Sequence, residues 1–313
     1  MHQTTFSNLA LPVIVAPMFL VSGPDLVIQC CRSGIVGSFP VLNQRTTEGV
    51  DRWLTEIEES LVEQDAPFAV NLIVHKTNHR LEADLNVVVD HKVPIVITSL
   101  GAAKEVVDAI HSYGGIVLHD VTTTRFAEKA LTAGVDGLIA VCAGAGGHAG
   151  TYNPFAFIDE LKSLTDKPII ASGCISSGAS ILAAQAAGAD LAYMGTRFIA
   201  TKESLAGADY KAMLIGSSAK DIVYTPKISG VNANFLEPSI RGGGIDLTTL
   251  DVPTMNAETE LSGDSKAWKD IWSAGQGVGA ISDVALTKDI ITNLKSEYRQ
   301  ALDKLNQSAR AYR

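Results

Sequence analysis

Eight short apolar runs, rich in Val and Ile, recur between residues 11 and 196: LPVIVAPM (11–18), GIVGSFP (34–40), FAVNLIV (68–74), PIVITSL (94–100), GIVLHDV (115–121), GLIAVCA (137–143), PIIASG (168–173) and LAYMGT (191–196). Runs that are continuously apolar, not alternating, mark strands covered on both faces, the condition of a parallel sheet. Amphipathic segments separate them, among them AKEVVDAIHSYG (103–114), RFAEKALTAG (125–134) and SGASILAAQAAG (177–188), each closing on a glycine suited to the left-handed position after a helix. TAGVDGLIAV (132–141) and AAGADLAYMG (186–195) repeat one grammar of helix stop, turn and strand. Serial βα units follow from this pattern.

Eight such units build either an open doubly wound sheet or a closed barrel. An open dinucleotide fold carries GxGxxG after its first strand, whereas APMFLVSG (16–23) stands there. Glycines appear instead after the seventh and eighth runs, in ASGCISSG (171–178) and MGTRF (194–198), where barrels hold phosphates on backbone N–H groups. The expected architecture is therefore a (βα)8 TIM barrel over residues 1–205. From SSAKDIVYT to GQGVGAI the alternation stops, and residues 206–283 are expected to form a cap at the catalytic face that excludes water. Residues 284–313 read as a C-terminal helix returning to the barrel.

Composition narrows the function. With 46% hydrophobic and 19% charged residues in 313, the chain buries a large core, and its net charge of -9 opposes a nucleic-acid or anionic-membrane partner. Cys30, Cys31, Cys142 and Cys174 include no CxxC pair, so neither a disulfide framework nor a zinc site is signalled. The N-terminal apolar stretch lacks a basic flank and is broken by Pro12 and Pro17, unlike a signal peptide. No apolar run reaches the ~20 residues a spanning helix needs. A soluble, cytoplasmic enzyme of small-molecule chemistry is expected.

In barrels the chemistry sits at the C-terminal strand ends. These supply Ala16, Pro17 and Met18; Asn71; Thr98 and Ser99; His119 and Asp120; and then Gly146, Gly147 and His148. No spacing suggests a Ser-His-Asp set, and His75, His119 and His148 lack an acidic partner, so no metal is expected. Apolar atoms and neutral amides suit a planar aromatic cofactor with a phosphate tail. Asn71 is placed to meet the donor–acceptor edge of a flavin, or to sit as an ordinary polar residue at a strand end. Met18 packs on the ring face, offers its N–H, or simply fills core. In AGAGGHAGTYNP (143–154), one histidine stands among four glycines: either an ordinary turn, or a backbone left bare so that a flat ligand lies against it.

Taken together, APM at the first strand, the Asn of AVNLIV, AGAGGHAG, ASGCI, MGTRF and AGQGVG resemble, in order and spacing, the nitronate monooxygenase family, formerly 2-nitropropane dioxygenases, from about residue 8 to about residue 285. The resemblance implies an FMN-dependent barrel with the flavin phosphate at Gly173, Gly195 and Thr196, adjoined by Met194 and Arg197. Ala16, Pro17, Met18 and Asn71 would lie at the isoalloxazine, Gly146 would admit the ring, and Gly275 and Gln276 would fold back onto the cofactor. His148 would be catalytic. Family members oxidise alkyl nitronates with O2 to carbonyl compounds and nitrite, without NAD(P)H, and nitroalkanes enter the same chemistry once deprotonated. An imidazole suits it: neutral, it takes the α-proton of a nitroalkane; charged, it holds the nitronate. The alternatives are an FMN-dependent NAD(P)H:quinone or enoyl-thioester reductase and a flavin-binding module without turnover. The partners implied are the small molecule and O2, with a homodimer as the assembly allowed.

Two positions depart from the pattern. Many members have glycine where this chain has Cys174, a replacement that fits if φ there is negative and only the N–H is used. Some relatives carry lysine where this chain has Asp120, whose negative charge does not favour an electron-rich reduced flavin.

Overall fold

The computed structural model describes residues 5–254 and 266–310. Each of the eight apolar runs is a strand: β1 (Val13–Val15), β2 (Gly37–Pro40), β3 (Phe68–Ile73), β4 (Ile95–Ser99), β5 (Ile116–Val121), β6 (Gly137–Val141), β8 (Ile169–Ser172) and β9 (Leu191–Met194). They form one parallel sheet in the order β1-β9-β8-β6-β5-β4-β3-β2. The ring closes where Val15 N donates to Val36 O (2.8 Å) and Val36 N donates to Val13 O (3.1 Å), so no long edge is left between β1 and β2.

Strand alternation decides what faces the barrel interior. Ile14, Val36, Ala69, Ile95, Ile97, Ile116, Leu118, Ile139, Ile170 and Leu191 fill it, and Phe6 and Leu9 pack against this cluster. The intervening Val70, Leu72, Val96, Val117, Val121, Leu138 and Ala140 face the helices instead. Continuing the inward parity toward the strand C-termini brings Asn71, Ser99, Asp120, Ser172 and Tyr193 into the last layer. The interior is thus aliphatic below and polar at its top.

Helices α1 (Pro24–Arg32), α2 (Thr47–Ser60), α3 (Leu81–Asp90), α4 (Lys104–His111), α5 (Thr124–Ala133), α6 (Pro154–Leu164) and α7 (Gly178–Ala186) follow their strands in turn. Thr46, Thr123, Asn153 and Ser177 cap α2, α5, α6 and α7 by accepting from backbone N–H groups of the first turn. The eighth helix arrives late. After β9 come α8 (Thr196–Ile199), α9 (Ala208–Ile215), the antiparallel pair β10 (Ile222–Thr225) and β11 (Ala233–Leu236), α10 (Glu237–Gly242) and α11 (Lys266–Lys269). Only then does α12 (Thr287–Ala309) bring Ile290, Ile291 and Leu294 onto Val13, Leu26, Ile181 and Phe198. Its Glu297 carboxylate accepts from Gly178 N (2.7 Å) at the start of α7, a favourable place for negative charge.

The region where the strand–helix alternation stops contains a hairpin. Its strands are four residues each, and β11 also pairs with β7 (Gly147–His148), aligning Ala233 with His148. Among the described residues no helix is long and apolar enough to cross a membrane.

Candidate active site

A cavity of about 750 Å³ opens at the C-terminal ends of the strands, within the range of small-molecule sites. Gly146, Gly173, Cys174, Gly195, Thr196, Gly275 and Gly277 line one side of it, and Asn71, Ser99, Asp120, Tyr193 and His148 another. Phe126 and Lys129 of α5 line it too. The two sets of lining residues are built on different principles.

The glycine side is three loops in backbone contact: 143–147 after β6, 173–176 after β8, and 273–277 after α11. A Cβ on Gly275 would lie 2.7 Å from Gly144 O and 3.0 Å from Gly146 N; one on Gly146, 2.8 Å from Gly275 N; one on Gly277, 2.5 Å from Ser176 Oγ. Gln276 N donates to Gly144 O (2.9 Å) and Gly275 N to Thr196 Oγ1 (2.9 Å). Gly144 and Gly146 of AGAGGHAG are thus required for loop-on-loop packing, whatever else lies against them. At the turn after β8, φ is +129° at Gly173 and +60° at Cys174. The negative φ that would make Cys174 an easy replacement is not found. Its side chain sits in the left-handed region, and Leu100 and Trp268, also at positive φ, line the same cavity, as strained residues at functional sites do.

The other side is a chain of side-chain hydrogen bonds across three strands. Asn71 Nδ2 donates to Ile97 O (3.1 Å) and to Ser99 Oγ (2.8 Å), and Ser99 Oγ donates to Asp120 Oδ2 (2.5 Å). Both amide hydrogens of Asn71 are therefore engaged, which leaves its carbonyl oxygen for a ligand in place of the expected donor–acceptor pair. Burial pushes the Asp120 carboxyl up to about 6, against the hydroxyl of Ser99 and the charge of His148, both of which lower it. His119 has the opposite parity to Asp120; its Nδ1 meets Thr98 Oγ1 at 2.7 Å, and burial pushes it down to about 4. Near neutral pH it is an uncharged imidazole.

His148 is held by residues that follow β9 in the chain. β7 pairs with β11, Asn234 Nδ2 donates to Ala145 O (2.7 Å), and Tyr224 donates to Ala149 O (2.9 Å). The imidazole packs edge-on against Trp268, with ring centroids 5.2 Å apart at 86°, and Trp268 in turn lies 5.2 Å from Phe235. Trp268, Tyr193 and Ser172 were not among the residues expected from the sequence. The last two follow from inward parity on their strands; Trp268 comes from a segment with no periodic signal.

Three expected cofactor residues are not among those lining the cavity. Met194 follows the inward Tyr193 and points outward into the cluster of α7 and α12, although its carbonyl receives Ala16 N (3.0 Å). Arg197 is buried and ion-paired with Asp283 Oδ1 (2.7 Å), bracing the returning segment. Gln276 places Oε1 3.9 Å from Cys174 Sγ. Met18 lines the cavity, but its N–H donates to Ser22 Oγ (3.0 Å), so only its side chain is left to face a ligand. Ala16 and Pro17 line the cavity as expected. Among the described residues no three His, Cys, Asp or Glu side chains gather as metal ligands.

The chain is similar to solved structures of FabK from Thermotoga maritima (TM-score 0.85, 24% identity, 98% of each chain covered) and of nitroalkane oxidase from Streptomyces ansochromogenes (TM-score 0.81, 24% identity, 95% of this chain and 99% of that one); these establish the barrel fold. It is 27% identical to a nitronate monooxygenase of Paraburkholderia phytofirmans over 95% of both chains. The family model described as nitronate monooxygenase matches residues 79–297, which hold Asp120, His148, both glycine loops of the strand ends and the returning segment. A flavin-dependent oxidoreductase fold with this cavity, matched over the greater part of its length, belongs to the nitronate monooxygenase family.

Proposed function

We propose that the protein is an FMN-dependent nitronate monooxygenase that oxidises alkyl nitronates, and the nitroalkanes that yield them, with O2 to carbonyl compounds and nitrite. The observation that carries this reading is the placement of His148 in the cavity wall, between a backbone-lined side and a polar side-chain wall, with its strand fixed by the cap. Backbone at Gly173, Gly195 and Thr196 fits a phosphate, since two of the three positions carry no side chain and the Thr196 hydroxyl is already turned to Gly275 N. Asn71 Oδ1, the side chain of Met18, and Ala16 with Pro17 fit the edge and face of a flat ring. Gly146 and Gly275 keep the loops close enough to bound it.

Bound flavin supplies the acceptor for electrons leaving the nitronate and passes them to O2. The protein's own part is proton handling, positioning and dryness. His148 takes the α-proton of a nitroalkane as a neutral base and, once charged, holds the nitronate beside it. Residues 206–283 act as a cap: Trp268, backed by Phe235, shields the imidazole on one side, and its apolar ring limits water at the reacting carbon.

The test is direct. Denaturing the yellow protein and chromatographing the supernatant is expected to release FMN, and oxygen uptake is expected on adding a nitronate. Recovery of FAD, or of no flavin after reconstitution, overturns the cofactor. Anaerobic bleaching by NADH or NADPH with no oxygen uptake on nitronate selects the reductase reading instead.

A further inference from the structure

The carboxyl of Asp120 has no task in the chemistry above, yet its setting is unusual. Inward parity on β5 brings it to the cavity, which reaches one side of it, while protein encloses the rest. Oδ2 accepts a single hydrogen bond, from Ser99, and Oδ1 is buried with no hydrogen-bond partner. The groups that face it are few. From β7 comes His148, from β9 Tyr193, whose ionisation Asp120 opposes, and on its own strand stands the neutral His119. β4 contributes Ser99 and β6 contributes Val141, neither charged. Lys129 of α5 lines the cavity, and no ion pair joins it to Asp120 among the described residues.

A carboxylate with one dry oxygen is poorly supported as an anion. A second negative charge in the same cavity makes it worse, and one proton on Asp120 removes the repulsion and creates an O–H donor. We propose that Asp120 and His148 bound a subsite for small planar oxyanions, and that an anion entering it is taken up together with a proton that comes to rest on Asp120. Nitronates, nitrate and short carboxylates share the required shape and charge. The inference rests on reading this cavity as the substrate site, but not on oxygen chemistry taking place there.

The sign follows from linkage. If the anion binds best when Asp120 is protonated, affinity is strongest at low pH. Above the pKa of the free carboxyl, near 6, the dissociation constant weakens by up to tenfold per pH unit. The contribution of Asp120 is read by difference against a variant that cannot titrate there.

Nitrate, which is not oxidised, is the probe. Calorimetric titration of the flavin-loaded protein at pH 7, in two buffers of different ionisation enthalpy, counts the protons taken up on binding. Wild type is expected to take up more than Asp120→Asn, by up to one proton, while Asp120→Asn keeps nitrate affinity and flattens its pH slope. Ser99→Ala, which leaves the carboxylate less supported, is expected to move the pH dependence upward and tighten nitrate binding at pH 7. Equal proton uptake in wild type and Asp120→Asn, or no nitrate binding by wild type at pH 6, overturns the proposal. Nitrate binding with Asp120-dependent proton uptake, but no oxygen consumption with nitronates, would leave this subsite standing and remove the proposed function.

Discussion

The two sides of the cavity solve the same problem with different material. In the loops that follow β8 and β9 the wall is backbone, and what matters is how close three loops approach: Gly275 could not carry a Cβ without meeting Gly144 O at 2.7 Å. At β3 to β5 the wall is side chains, and what matters is which atoms donate: Asn71 to Ser99, Ser99 to Asp120. The backbone side accepts a cysteine at +60° because its shape survives. The side-chain wall has no such tolerance, since replacing one member leaves another without its partner. Shape and proton traffic are thus assigned to separate halves of one site.

The sharpest way to break this division is at His148, the side chain that the glycine loop delivers. His148→Asn is expected to lower oxygen consumption with a neutral nitroalkane by roughly 10²- to 10⁴-fold, the usual scale for loss of a general base. The loss is smaller with a preformed nitronate, and FMN content stays near wild type. Equal losses for both substrates would reduce His148 to an electrostatic clamp.

Next in size is the backbone side. Gly275→Val should force the loops apart at a cost of about 1–3 kcal/mol, the range for overpacking. It would be seen as a lower melting temperature and a roughly tenfold or greater loss of FMN affinity. If FMN were retained in Gly275→Val but lost in Asp120→Asn, the assignment of roles would be reversed.

A smaller effect separates the halves by pH. Asp120 has a folded pKa raised to about 6 from the ordinary 3.8, so the folded state binds the proton more tightly than the unfolded one. Its contribution to stability falls as pH rises through that interval and stays low above it. The melting temperature of Asp120→Asn relative to wild type should therefore shift in favour of the variant between pH 4 and pH 7. A difference constant with pH would show that the carboxyl is not held up in the folded protein.

The smallest expected change is at Cys174. Cys174→Gly relieves a left-handed side chain but gives the unfolded chain more freedom. The net gain is a few tenths to about 1 kcal/mol, read as a slightly higher melting temperature with FMN affinity unchanged.

The barrel was legible because each strand is a continuous apolar run, a signal that needs no partner to be seen. Asn71, Asp120 and His148 were legible as strand-end residues, but their pairing was not: Asn71, Ser99 and Asp120 meet only through register across three strands. Met194, Arg197 and Gln276 were drawn in by standing beside motif glycines; alternation turns Met194 outward, a salt bridge holds Arg197, and the Gln276 side chain lies against Cys174. β7, β10 and β11 were hidden because strands of two to four residues, with β11 pairing to a segment some 85 positions earlier, leave no local periodicity. The glycines of AGAGGHAG were seen, but the reason for Gly144 and Gly146 was visible only once residues 273–277 lay upon them.

The separation of β9 from α12 sets a timetable for biosynthesis. The eighth strand is complete at Met194, but the helix that covers its outer face begins at Thr287. A ribosome adding roughly 5–20 residues per second needs about 5–20 s to make the chain between them. During that interval Val13, Leu26, Ile181 and Phe198 wait for Ile290, Ile291 and Leu294, and α7 waits for Glu297. The nascent chain must therefore emerge with a seam of apolar surface open to solvent, and that seam, more than the active site, is where a chaperone would have its opportunity to bind.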